Sequence, residues 1–125
     1  MKLRTDPRHL KRIAHMQDLF SWSFRSQKKP VKTIQPIISK IEEIDKLISK
    51  SAPDRPIREI NKIDLSILRL SIFELIISKV PPKVVIDEAV ELGKEFGGES
   101  SPGFINGVLG KVVLLKKINT NNSKG

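Results

Sequence analysis

The stretch from Ile63 to Ser78 constrains this chain most. Leu65, Ile67, Leu68, Leu70, Ile72, Phe73, Leu75, Ile76 and Ile77 surround most of the circumference of a helix with apolar groups. Such a helix has no face to give to water, so the rest of the chain must sheathe it. It is too short to cross a bilayer, which needs roughly 18 to 20 uncharged residues, and it carries Arg69 and Glu74. A charge inside an apolar helix needs a paired or wetted environment, so Arg69 and Glu74 are expected to serve the buried architecture. No alternating strand pattern flanked by hairpin turns occurs anywhere, and the class is all-α.

The sheathing helices are legible from their punctuation. Asp6 followed by Pro7 starts a helix of about 7–24, because the carboxylate accepts from first-turn amides and proline at the first position forfeits no bond. On a wheel of about 100° per residue, Leu10, Ile13, Ala14, Met16, Phe20 and Phe24 share a core-facing side, with Arg8, Lys11, Arg12, His15 and Trp22 opposite. A basic connector, residues 25–32, precedes a second amphipathic helix carrying Ile37, Ile38, Ile41, Ile44, Leu47 and Ile48 and ending near Lys50. Pro53 and Pro56 break it, with a short turn of helix expected around Ile57 to Ile60. Pro81 and Pro82 end the apolar helix and open another, with Ile86, Ala89, Val90, Gly93 and Phe96 on its inner face and Gly97 and Gly98 as its stop. Ser100 or Ser101 caps a last helix whose stripe is Phe104, Ile105, Val108, Leu109, Val112 and Val113. Five main helices in a compact bundle follow, with a polar, disordered tail over 119–125.

Composition narrows the function. At 125 residues the chain fits one domain. The absence of cysteine removes disulfides, thiolate metal sites and cysteine nucleophiles, and points to the cell interior, hence a cytoplasmic protein. His9 and His15 are the only histidines and lie on different sides of one helix, so no metal site is expected there. Asp87, Glu88 and Glu91 read as solvated helix charge, and no phosphate-cradling glycine loop occurs. Neither catalysis nor a cofactor is indicated. The net charge of +9 is uneven: the first 32 residues hold nine basic groups and two acidic ones, the remainder fourteen and twelve. That asymmetry calls for a localised anion-binding face, with solvation of a terminal segment as the plain alternative. Nucleic-acid binding uses converging cations plus a flat stacking group, which Trp22 can supply unless a neighbouring helix buries it. Lacking a recognition-helix pair with its tight turn, the chain suits single-stranded RNA better than duplex DNA, although charge alone leaves that choice open.

Three linked motifs over about 50 residues go further. The run Ile63 to Leu75, the run Val80 to Leu92, and Phe96-Gly97-Gly98-Glu99 followed by Phe104-Ile105-Asn106-Gly107-Val108-Leu109 closely resemble the NusB family of bacterial transcription antitermination factors. Ala14 and Leu19-Phe20-Ser21-Trp22 resemble its arginine-rich opening helix more loosely, and residues 27–60 match poorly. The resemblance implies a fold of five to seven helices in two small helical subdomains, about 1–52 and 57–118, without catalytic activity. It implies binding of the boxA element of nascent ribosomal RNA together with the ribosomal protein NusE, inside an RNA polymerase complex that resists termination. It places RNA contacts at Arg4, Arg8, Lys11, Arg12 and His15, aromatic contacts at Phe20 and Phe104, and a NusE-facing acid at Asp64.

Departures from the family pattern fall late in the chain. Pro82 stands where tyrosine is usual, Ser100, Pro102 and Gly103 replace more polar residues, and Gly110 replaces a common acid. Two other readings stand beside the antitermination factor. One is the RNA-binding module found in front of ribosomal RNA cytosine methyltransferases, although these 125 residues include no methyl-donor-binding domain. The other is a structural interaction protein, monomeric or homodimeric, whose basic face is incidental.

Overall fold

The structure is a computed structural model, and it describes residues 6–25 and 27–118. Arg4 and the 119–125 tail lie outside the described residues. Six α-helices occur among the described residues, and no strand: α1 (Pro7–Ser23), α2 (Gln35–Ile38), α3 (Ile41–Ser51), α4 (Lys62–Ile77), α5 (Pro82–Phe96) and α6 (Ser101–Leu115). Single 3-10 turns at Lys32–Ile34 and Ile57–Glu59 join them.

As the apolar run requires, α4 is the hub. Every residue from Asp64 to Ile72 is buried, and α1, α2, α3, α5 and α6 all pack against this helix. Asn61 starts it by accepting from the amides of Ile63 (2.8 Å) and Asp64 (3.2 Å). Ile67, Leu68 and Ile72 are fully enclosed, and each such side chain contributes roughly 1.5–3 kcal/mol relative to exposure. The two charges embedded in the apolar run, Arg69 and Glu74, are paired. Arg69 donates two bonds to Asp45 of α3, at 3.0 and 2.8 Å, and its guanidinium lies 5.6 Å from the Trp22 ring centroid. Glu74 accepts two bonds from Arg12 of α1, at 2.9 and 2.8 Å.

The start of α1 is as its sequence requires, with Asp6 accepting from the Arg8 amide at 2.8 Å. Its buried side keeps only part of the apolar stripe, Met16 with Ile13 packed beside it. His9, Met16 and Leu19 are buried, whereas Leu10 is 49% exposed, Phe24 is 61% exposed and Ala14 also faces outward. The helix is rotated because Arg12 and His9 meet carboxylates of α4 and α5, which draws that polar edge inward. The second amphipathic segment is two helices, since it breaks at Ser39 and Lys40 and leaves Ile37 and Ile38 in the short α2. On α5 the buried residues are Pro82, Val85, Glu88, Ala89, Leu92 and Gly93, with Ile86, Val90 and Phe96 only half-buried. Glu88, expected in solvent, is turned inward toward His9 and Arg12.

The turn between α5 and α6 is tight. Ser101 Oγ accepts from the Gly98 amide at 2.9 Å, so Ser101 rather than Ser100 closes it. A Cβ at Gly97 would fall within 2.9 Å of the Gly93 carbonyl oxygen and closer still to Ser101, whereas one at Gly98 meets nothing within 4 Å. Gly97→Ala is therefore expected to destabilise the fold by about 1–3 kcal/mol and Gly98→Ala to leave it within about 0.5 kcal/mol, as urea unfolding will measure.

Candidate nucleic-acid interface

The inward rotation of α1 decides which cations are free. Arg12 has only 13% of its side chain exposed, and besides its fork on Glu74 its Nη1 lies 3.4 Å from Glu88 Oε1. Beside it His9 is buried with Nδ1 3.3 Å from Glu88 and Nε2 3.0 Å from Glu95. These groups fasten α1 to α4 and α5. The sequence places Arg12 among free cations; the structure places it in an ion-pair knot.

Arg8, Lys11 and His15 remain on the outer edge of the same flank. The Arg8 side chain is 84% exposed, and its one ion pair among the described residues is with the nearby Asp6, at 3.3 Å, a contact whose strength solvent screens. That guanidinium holds the Asp6 carboxyl below the usual carboxylate range. Lys11 is exposed and makes no ion pair among the described residues. Partial burial, aided by the charge of Lys11, pushes His15 below its ordinary value, which favours the neutral ring.

These three residues and Arg12 line one cleft of about 300 Å³, closed on the other side by the 3-10 turn through Thr33. Ile37, Leu70, Phe73 and Val80 form its apolar lining, and Glu74 stands in its wall. Further along α1 a second, smaller cleft of about 190 Å³ gathers Arg25, Lys28 and Lys29 around Trp22. Trp22 is half-buried with its Nε1 shut away from solvent and unpartnered, so it packs under Arg69 rather than standing free as a stacking platform.

The aromatic positions lie elsewhere. Phe20 follows His15 by five residues, about 140° around the helix. It makes an edge-on pair with Phe24, at 5.0 Å between centroids, and the Lys62 ammonium lies 5.3 Å from the Phe24 ring centroid. Phe104 is half-buried under the Arg55 guanidinium at 4.5 Å. Asp64 is 5% exposed with Oδ1 unpartnered, so its side chain presents almost no surface. The sequence reading missed Lys62 and Arg55 as cations over aromatic rings, and missed Thr33, Phe73 and Val80 as lining. Only Glu74, a charge set in an apolar run that needs a partner, hinted at the contact that brings these segments together.

The NusB family model matches residues 26–114, most of the chain. The chain belongs to the NusB family. It is 48% identical over 73 residues to the transcription antitermination protein NusB of Chloroflexus aggregans, covering 56% of this chain and 49% of that protein. Against the protein of that name from Alkaliphilus oremlandii it is 37% identical over 108 residues, 84% of this chain and 77% of the relative. The chain thus spans about half the length of several curated relatives it matches. Among solved structures, T. maritima NusB superposes with a TM-score of 0.80 at 28% identity, covering 95% of this chain and 96% of that one. The family match begins after α1, so α1 joins the NusB fold through the structural likeness.

Because Arg12 is held between carboxylates and Arg8 is not, their substitutions separate. Arg12→Gln leaves Glu74 and Glu88 short of their cation and is expected to cost about 3 kcal/mol in urea unfolding, whereas Arg8→Gln stays within about 0.5 kcal/mol.

Proposed function

We propose that this chain is a non-catalytic transcription antitermination factor of the cytoplasm that binds single-stranded, boxA-type RNA of nascent ribosomal transcripts together with NusE. In this reading the pair joins an RNA polymerase complex that resists termination. The observation that carries the proposal is the free cationic flank of Arg8 and Lys11, with the His15 ring beside them, on a NusB-family fold above a cleft with an apolar lining. The naming of the relatives as transcription antitermination proteins supports the biological setting.

Within this proposal Arg8 and Lys11 neutralise phosphates and Arg12 holds α1 so that they face one way. Arg4 belongs to the same basic segment by sequence. His15 adds a third cation only when protonated. Phosphate beside a partly buried imidazole favours its charged form, so RNA binding takes up a proton there. Phe104 under Arg55, and Phe20 through Phe24 beside Lys62, are the aromatic groups offered to a further stretch of RNA or to NusE. Asp64 acts on the NusE side by shaping the start of α4, given how little of it is exposed.

Anisotropy titration of a boxA-type RNA against a scrambled RNA, with and without NusE, tests the proposal. The boxA sequence is expected to bind more tightly, and more so with NusE. Lys11→Gln should weaken binding and reduce the log–log salt slope by about 0.7, the share of one phosphate contact on a single strand. Lowering the pH from about 7 to about 6 should tighten binding by the native chain and not by His15→Gln. Equal affinity for both RNAs, or a Lys11 variant with unaltered affinity and slope, would refute the assignment.

A further inference from the structure

The cleft between α1, the Thr33 turn and the C-terminal half of α4 does more than present charge, and what it does rests on the RNA reading above. We propose that it seats a single unstacked nucleotide of the bound strand, its base against Phe73, Leu70 and Val80 and its phosphate at Arg8 and Lys11.

Two features of the cleft call for this occupant. Its lining is apolar on the α4 side, where Leu70 is buried and Phe73 and Val80 are half-buried, and cationic on the α1 side. A ligand filling both must be flat and apolar at one end and anionic at the other, as a nucleotide is; a bare phosphate leaves the apolar side unused. At about 300 Å³ the cleft lies at the lower limit for small-molecule sites, enough for one base and its sugar phosphate rather than a stacked run.

Polar groups at the wall give the base something to read. Both oxygens of Glu74 accept from Arg12, and each retains a lone pair for a base N–H. The His15 ring, which lines the same cleft, offers the base an N–H donor in either protonation state. The Arg12–Glu74 pair is held by the packing of α1 on α4, so these acceptors are in place before RNA arrives. This assigns sequence reading to a site that lacks Trp22, Phe20 and Phe104, the aromatic groups a sequence reader would choose.

The test fills the cleft without touching its charges. Val80→Phe occupies the apolar side, and Thr33→Trp does the same from an exposed position, with loss of the Thr33 hydroxyl's 2.7 Å bond to Asp18, if the first variant does not fold. Native chain and both variants are titrated with a boxA-type RNA dodecamer and with the same dodecamer carrying one abasic nucleotide at each position in turn. Filling the cleft should weaken the intact RNA between about fivefold and about a hundredfold, the worth of one stacked base, with the salt slope unchanged. One abasic position should cost the native chain a similar factor and cost the filled variants nothing. A flat abasic scan, or filled variants that bind the intact RNA like the native chain, overturns the nucleotide seat while leaving the RNA reading standing. An abasic loss that persists in the filled variants puts the base elsewhere and overturns it too. If filling weakens only the binding of NusE, the occupant is a peptide segment and the proposal fails. If the native chain binds none of the RNAs, both readings fall together.

Discussion

The orientation of α1 depends on the ion-pair knot at its N-terminal half. Arg12 between Glu74 and Glu88, and His9 between Glu88 and Glu95, tie one helix to two others through carboxylates turned toward α1. Taking these charges out of water is costly, and the cost is recovered only because nearly every donor and acceptor finds a partner. Once they are paired, the rotation of α1 is no longer adjustable. Leu10 and Phe24 are left outside and Arg8, Lys11 and His15 are set along the edge of a cleft.

The same logic runs through α4. A helix apolar on all sides could settle in many registers, since hydrophobic burial is not directional. Arg69 on Asp45 and Glu74 on Arg12 supply direction, fixing α3 and α1 at defined heights along α4. The two pairs act as positioning devices in a core that supplies the bulk of the stability. One of them also stands in the wall of the cleft, so architecture and the candidate interface share a contact.

How much of this the sequence displayed follows from the range of each signal. The cap at Asp6, the proline starts of α1 and α5 and the apolar run of α4 are local, and they read correctly; the Asn61 cap of α4 was not picked out. The need of Arg69 and Glu74 for partners was also legible, because it follows from their burial alone. Which groups supply those partners was not, since Asp45 and Arg12 lie 24 and 62 residues away in the chain. The amphipathic wheel of α1 failed for the same reason: it ranks side chains by polarity, and here two polar groups outcompete two apolar ones through contacts made only after folding. The cleft was invisible because its lining comes from three separate segments.

If RNA meets the flank of α1 that faces Thr33 and Val80, with Arg12 holding that flank in place, amide chemical-shift mapping of the labelled chain during titration with boxA-type RNA will show it directly. The largest shifts are expected at Arg8, Lys11, His15, Thr33 and Val80, with Leu10, Ala14 and Gln17 on the outer side of α1 little moved. Saturable RNA binding that leaves the first group unshifted and moves the second would contradict it.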